Sequence, residues 1–222
     1  MVRLWWAFVR FFFRLLYNEF AWTYDFVAWV VSLGMWRAWG RTAIPHLQGK
    51  RVLELAHGPG HLLATMADQG LAPVGLDLSP YMGRLARQRL AKDGLAVPLV
   101  RSRVQALPFR DGCFDSAVAT FPTEFILHPA TLRATARVLG TDGRLVVVAM
   151  ARLSGRSMLA RFIRWLYRIT GQEGPIPVEG ERLLQDTGFT ARAVLEEVGR
   201  SEVVLVVAER DDDGLRGNYA GW

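Results

Sequence analysis

Residues 51–60 read RVLELAHGPG. Val52 to Leu55 form a short apolar run broken by one carboxylate, Glu54, and the run stops at a turn containing Gly58, Pro59 and Gly60. A run of that length bounded by glycine and proline is a buried strand followed by a tight turn. Glycine there takes positive φ freely and lets a ligand come close to the backbone. Toward the C-terminus, helix-period segments alternate with strand-like ones: HLLATMADQG (61–70), PVGLD (73–77), PYMGRLARQRLAKDG (80–94), VPLVR (97–101), FDSAVAT (114–120), TLRATARVLG (131–140) and RLVVVAM (144–150). Short apolar strands separated by amphipathic helices predict βαβ crossovers and a parallel sheet buried on both faces. Ser79 before Pro80 predicts a capped helix start, and Gly70, Gly94 and Gly140 are placed to end their helices. Further on, ERLLQDTGF (181–189) reads as a helix. ARAVLEEV (191–198) and SEVVLVVAE (201–209), joined through Gly199 and Arg200, predict an antiparallel hairpin at the end of the sheet.

Ligands of an open parallel sheet bind outside the carboxyl ends of its strands, so the turns after the strands carry the chemistry. The first such turn is Glu54 to Gly60. The second strand ends in Asp77, seventeen residues after Gly60, where a carboxylate can accept hydrogen bonds from ribose hydroxyls. Together they describe an adenosine site. A dinucleotide fingerprint would need a third glycine, which the run from Gly58 to Leu63 lacks, and a Walker loop is absent too. Glu54, directly before the turn, would repel a phosphate but suits a ligand carrying an ammonium and a sulfonium.

The segment from about Lys50 to Met150 resembles the small-molecule branch of the class I S-adenosylmethionine-dependent methyltransferases, whose first motif reads roughly VLELGCGTG; here it is VLELAHGPG. GLDLSPYM resembles the second motif, QALPF followed by FDSAVATF the third and fourth, and LRATARVLGTDGRLVVV the stretch after them. The resemblance implies an α/β, Rossmann-like fold: a mostly parallel seven-stranded sheet with a C-terminal antiparallel hairpin, preceded by aromatic-rich helices. It divides the chain into an N-terminal helical lid or membrane-interface segment (1–47), the cofactor-binding domain (48–210) and a tail (211–222). It implies S-adenosyl-L-methionine as cofactor, with Glu54 on the methionine amino group, Ala56, His57, Gly58 and Gly60 as the floor, Asp77 on the ribose, and Leu78 and Met82 near the adenine. Arg103, Val104 and Thr120 complete the expected set. Two positions depart from the pattern. Ala56 stands where glycine is usual, and its methyl is tolerated only at negative φ. Arg103 stands where an acidic residue usually meets the adenine amino group.

The first 47 residues differ from the rest, being rich in tryptophan and phenylalanine and poor in glycine. At about 100° per residue, Arg3, Arg10 and Arg14 share one narrow stripe of a helix otherwise covered by Leu4, Trp5, Phe8, Phe11, Phe12 and Leu15. A second basic-aromatic helix is read at 154–171, with Arg161, Arg164 and Arg168 on one face. This pattern suits a membrane surface. Spanning needs about 20 apolar residues, and Arg3, Arg10, Arg14, Glu19, Asp25 and Arg37 interrupt every candidate stretch. The alternative is that this N-terminal apolar face packs on the domain itself or on a second copy of the chain. The net charge of +6 favours anionic partners, but the interleaving of arginine with aromatic residues ranks nucleic acid last. Cys113 is the single cysteine, which fits a reducing, cytoplasmic setting, on the inner face of the cell membrane. His57 and His61 straddle a turn rather than sharing a helical face, so no metal site is expected.

TYDFVAWVVSLGMWRAW (23–39) resembles, more loosely, the start of ubiquinone and menaquinone biosynthesis C-methyltransferases. The expected reaction is therefore methyl transfer to a small lipophilic acceptor, a quinone precursor or related lipid, at a membrane surface. Glu124 and His128 after the fourth strand, with Tyr24 and Asp25 from the lid, are the candidate positioning or base groups. The competing reading is a non-catalytic protein of the same fold that serves in binding or assembly, to which Ala56 and Arg103 point.

Overall fold

The computed structural model describes residues 34–153 and 183–211. The interfacial helix read at 2–17, Tyr24, Asp25, the basic-aromatic helix read at 154–171 and the tail beyond Asp211 lie outside the described residues. Strands β1 (Arg51–Leu55), β2 (Ala72–Asp77), β3 (Leu99–Arg101), β4 (Phe114–Thr120), β5 (Leu139–Leu153), β6 (Phe189–Val198) and β7 (Ser201–Arg210) form one sheet in the order β3-β2-β1-β4-β5-β7-β6. The first five are parallel, and β7 runs antiparallel between β5 and β6. Strand order reverses between β1 and β4, which opens a crevice at their carboxyl ends. The expected hairpin is present: Val198 pairs with Ser201, and Gly199 takes φ 60° in the two-residue turn.

Among the described residues the sheet is flanked by α1 (Trp36–Arg41), α2 (His61–Asp68), α3 (Pro80–Lys92) and α4 (Pro129–Val138), and residues 183–186 are helical, as the sequence predicts. Sequence punctuation sets their ends. The Ser79 hydroxyl accepts from the Met82 N–H at 3.3 Å with Pro80 as the first helical residue, and Gly70 and Gly94 follow α2 and α3 at φ 79° and 68°. Gly140 does not end its helix as expected. Helix α4 stops at Val138, Leu139 is already extended and paired with Phe114, and the left-handed residue is Asp142 at φ 59°.

Side chains of β1 alternate between two apolar clusters, as the two-residue period of a strand requires. Leu53 and Leu55 join Leu76, Leu132 and Leu145 on one face; Val52 joins Leu63, Met66 and Val118 on the other. Trp39 and Ala43, from α1 and the turn after it, pack into this second cluster and are fully buried. Each such side chain contributes about 1.5–3 kcal/mol by leaving water. Glu54 falls on the Val52 face, under α1 and α2. Asp115 pins the other end of β1, accepting from the Lys50 and Arg51 N–H groups at 3.0 and 2.9 Å and from the Arg51 guanidinium. These contacts hold the Asp115 carboxyl below the usual range, the Arg51 hydrogen bond acting most strongly.

Candidate cofactor site at the carboxyl ends of β1 and β4

Because β1 ends inside the crevice, its last polar side chain is forced into the protein. Glu54 is 1% exposed, and among the described residues its Oε2 has no hydrogen-bond partner. Burial raises its pKa well above the ordinary value and the nearby Asp77 charge adds to this, against a backbone hydrogen bond from Leu63. A buried carboxyl with an orphan oxygen is costly unless something else satisfies it. Glu54 sits on the wall of a cavity of about 570 Å³, large enough for a nucleoside with an amino-acid arm.

The turn above Glu54 is held in left-handed conformations. Gly58 and Gly60 take φ 54° and 78°, and so does Ala56 at 56°. The expectation that Ala56 needs negative φ is overturned: its methyl is accommodated at a cost of about 1–2 kcal/mol. A Cβ at Gly58 would meet nothing within 4 Å, whereas one at Gly60 would lie 2.9 Å from the Ala86 Cβ. Gly58 therefore keeps space open for a ligand, and Gly60 lets the turn seat on α3. Asp77 fastens the turn: its Oδ2 accepts from the Gly58 N–H at 2.9 Å and its Oδ1 from the Ser79 N–H at 2.8 Å. His57 is buried beside it, its Nδ1 2.7 Å from the Gly58 carbonyl; burial lowers its pKa, opposed by the Asp77 charge. No cluster able to hold a metal ion occurs among the described residues.

The cavity gathers only part of the expected set. Glu54, Ala56, His57, Gly58 and Thr120 line it, Thr120 closing β4. Gly60 and Asp77 buttress the turn without facing the cavity. Leu78 is exposed, Met82 and Val104 are packed in the interior, and Arg103 is exposed before a short 3-10 turn at Val104–Ala106. Glu124 and His128 do not line the cavity either. His128 caps α4, its Nδ1 accepting the Ala130 N–H at 3.1 Å, so its sequence position before Pro129 served helix initiation.

Several lining residues were not anticipated. Trp36, Arg37 and Arg41 come from α1 and Arg89 and Lys92 from α3. Phe121 follows Thr120 at φ 47°, outside the usual range for a bulky residue, with its ring 4.3 Å from Trp36 and 6.2 Å from Trp39. The i, i+4 spacing of Arg37 and Arg41 was visible in the sequence; their convergence with α3 needed the tertiary structure.

The description "methyltransferase domain" matches residues 52–143, which run from β1 through the glycine turn and Asp77 to the bulge in β5. That match marks residues 52–143 as a methyltransferase domain. The methyltransferase domain has relatives at the sequence level: a demethylmenaquinone methyltransferase of Thermus thermophilus is 34% identical over 139 residues, covering 60% of this chain and 63% of that one. The ubiquinone/menaquinone biosynthesis C-methyltransferase UbiE of Geotalea uraniireducens is 30% identical over 142 residues, covering 60% of each. The chain thus spans about six tenths of the length of these relatives. Solved structures share the fold of the methyltransferase domain. Geranyl diphosphate C-methyltransferase from Streptomyces coelicolor superposes with a TM-score of 0.59 at 15% identity, over 78% of each chain. A SAM-dependent methyltransferase from Methanosarcina mazei does so at 0.55 and 20%, over 77% of this chain and 97% of that one.

Proposed function

We propose that the protein transfers a methyl group from S-adenosyl-L-methionine to a small lipophilic acceptor of the quinone-precursor type. The buried Glu54 carboxyl, with its orphan oxygen at the wall of a cavity roofed by an open glycine turn, carries this reading. It is a site in want of a cationic donor, and the methionine ammonium is one. When bound, the cofactor supplies an electrophilic methyl on a positively charged sulfur. In this reading Glu54 holds the amino group, Ala56, His57 and Gly58 line the floor, and Gly60 seats it. Asp77, already oriented by two backbone N–H groups, offers its remaining lone pairs to the ribose. Leu78 lies against the adenine with Met82 packed behind it, and Val104 and Thr120 close the site. Arg103 leaves the adenine amino group without the usual carboxylate, and affinity then rests on the turn and Glu54.

Transfer from a sulfonium is an in-line displacement, so the protein's task is to align the nucleophile and keep water out. Trp36 and Phe121 supply apolar surface beside Thr120 for that purpose. The sequence relatives named for demethylmenaquinone and ubiquinone/menaquinone methylation support a prenylated ring as acceptor. The aromatic N-terminal segment supports delivery from a membrane surface; no helix among the described residues is long and apolar enough to cross one. Calorimetry of the full chain with S-adenosylhomocysteine tests the cofactor assignment: binding weakened at least tenfold by Glu54→Ala is expected, and unchanged affinity would sink it. Methyl-labelled cofactor with reduced demethylmenaquinone and with a prenylated ring acid tests the acceptor class, by label recovered in the organic phase after acidification. Flotation on vesicles, with and without residues 1–20, tests the membrane reading.

A further inference from the structure

We infer that the acceptor is an anion, an apolar body ending in a phosphate or carboxylate, and that Arg37, Arg41 and Lys92 receive its charged end at the cavity. The inference rests on the methyltransferase reading above and deepens it. Two helices lining the cavity each contribute two cations at helix spacing: Arg37 and Arg41 from α1, Arg89 and Lys92 from α3. Arg89 is engaged with the Pro59 carbonyl of the glycine turn. Arg37, Arg41 and Lys92 form no ion pair with any described residue. Among the described residues two carboxylic acids line the same cavity, Asp93 and Glu54, and burial favours the neutral form of Glu54. Four cations thus face one carboxylate.

The cofactor cannot redress this. S-adenosylmethionine carries an ammonium, a sulfonium and one carboxylate, so its one net positive charge is matched by the Glu54 carboxylate it ionises, and the cations of the rim stay uncompensated. Like charges converging on one space repel, and a cleft lined by one sign concentrates ligands of the other. An anionic acceptor offsets the rim. Trp36, which lines the cavity and packs on the Phe121 ring, gives its apolar part a wall. The acceptor then lies with its body toward Thr120 and Phe121 and its charge toward the outer turns of α1 and α3.

The test is calorimetry on the full chain, with inorganic pyrophosphate as the anionic probe. Arg37→Gln/Arg41→Gln/Lys92→Gln is compared with Arg110→Gln/Arg133→Gln/Arg192→Gln, which removes the same charge from exposed positions that do not line the cavity. At least tenfold weaker binding in the first triple and less than twofold change in the second is expected. Equal losses would reduce the effect to net charge and overturn the site. S-adenosylhomocysteine affinity should change less than threefold in the first triple; a loss matching that for pyrophosphate would assign these cations to the cofactor and overturn the acceptor proposal. Octyl phosphate should bind the unaltered chain at least tenfold tighter than octanol, and equal binding would overturn it without any variant. Failure of the unaltered chain to bind S-adenosylhomocysteine would sink the methyltransferase reading itself. Binding of S-adenosylhomocysteine but not of pyrophosphate would sink only the anionic acceptor.

Discussion

The turns after β1 and β4 sit side by side at the strand reversal, and each forces one residue other than glycine into the left-handed region: Ala56 at φ 56° and Phe121 at 47°. They are held by opposite means. The first is a backbone structure: Asp77 clamps the Gly58 N–H, Gly60 fits against Ala86, and side chains are nearly absent. The second is a side-chain structure, with the Phe121 N–H bonded to the Val148 carbonyl at 2.8 Å and its ring wedged beside two tryptophans of α1. Strain is tolerated where the surroundings over-determine it, and such places cluster at functional sites. The turn after β1 is thus built to be approached by a ligand, and the turn after β4 to be stacked upon by α1.

That contrast can be broken experimentally. Gly60→Ala should cost most, about 2–4 kcal/mol by urea unfolding, since a left-handed alanine and a contact of 2.9 Å with Ala86 add together. Gly58→Ala meets open space and should cost only about 1–2 kcal/mol while weakening S-adenosylhomocysteine binding; equal losses at the two glycines would contradict their division of labour. Phe121→Gly should destabilise by about 1–3 kcal/mol despite relieving strain, because the stacked ring is lost. Ala56→Gly should do the reverse and stabilise by about 0.5–1 kcal/mol, the relieved strain exceeding the added freedom of the unfolded chain.

The pH dependence of stability sharpens the same comparison. Because the folded-state pKa of Glu54 is raised, the native protein keeps a proton that the unfolded chain releases near 4.5. Stability from this group is therefore full below that pH. Above it, each further unit costs about 1.4 kcal/mol until the folded-state pKa is reached. Glu54→Gln should flatten this fall in a series of unfolding curves from pH 4 upward. Saturating cofactor should flatten it too, by favouring the ionised carboxylate, and parallel curves would show that Glu54 does not titrate as described.

Much of the fold was legible because its signals are local. The strand run 52–55, the glycine turn, the Ser79–Pro80 cap and the Gly199 hairpin each depend on a few adjacent residues. The helix end at Val138 was missed because β5 begins at once, its pairing with Phe114 overriding the glycine signal. Of the site, the cradle could be read and the rim could not. Glu54 and the glycines announce themselves by spacing, while the sharing of one cavity by Arg37 and Lys92 depends on how α1 packs against α2 and α2 against α3. Motif residues also proved to be scaffolding: Arg137 ties the Leu107 and Phe109 carbonyls and Asp111 together, and Asp115 anchors β1.

Strand β1 is fastened at both ends, by Asp115 where it enters the sheet and by Asp77 where its turn leaves. Five residues lie between these anchors, and their parity decides which way each one points. Inserting a single residue between Val52 and Leu53 would deliver Leu53 to the cavity wall and bury the acid among the aliphatic side chains behind the sheet. No change of side-chain chemistry elsewhere would undo that rotation, which makes the length of this strand as much a part of the candidate site as the carboxyl it presents.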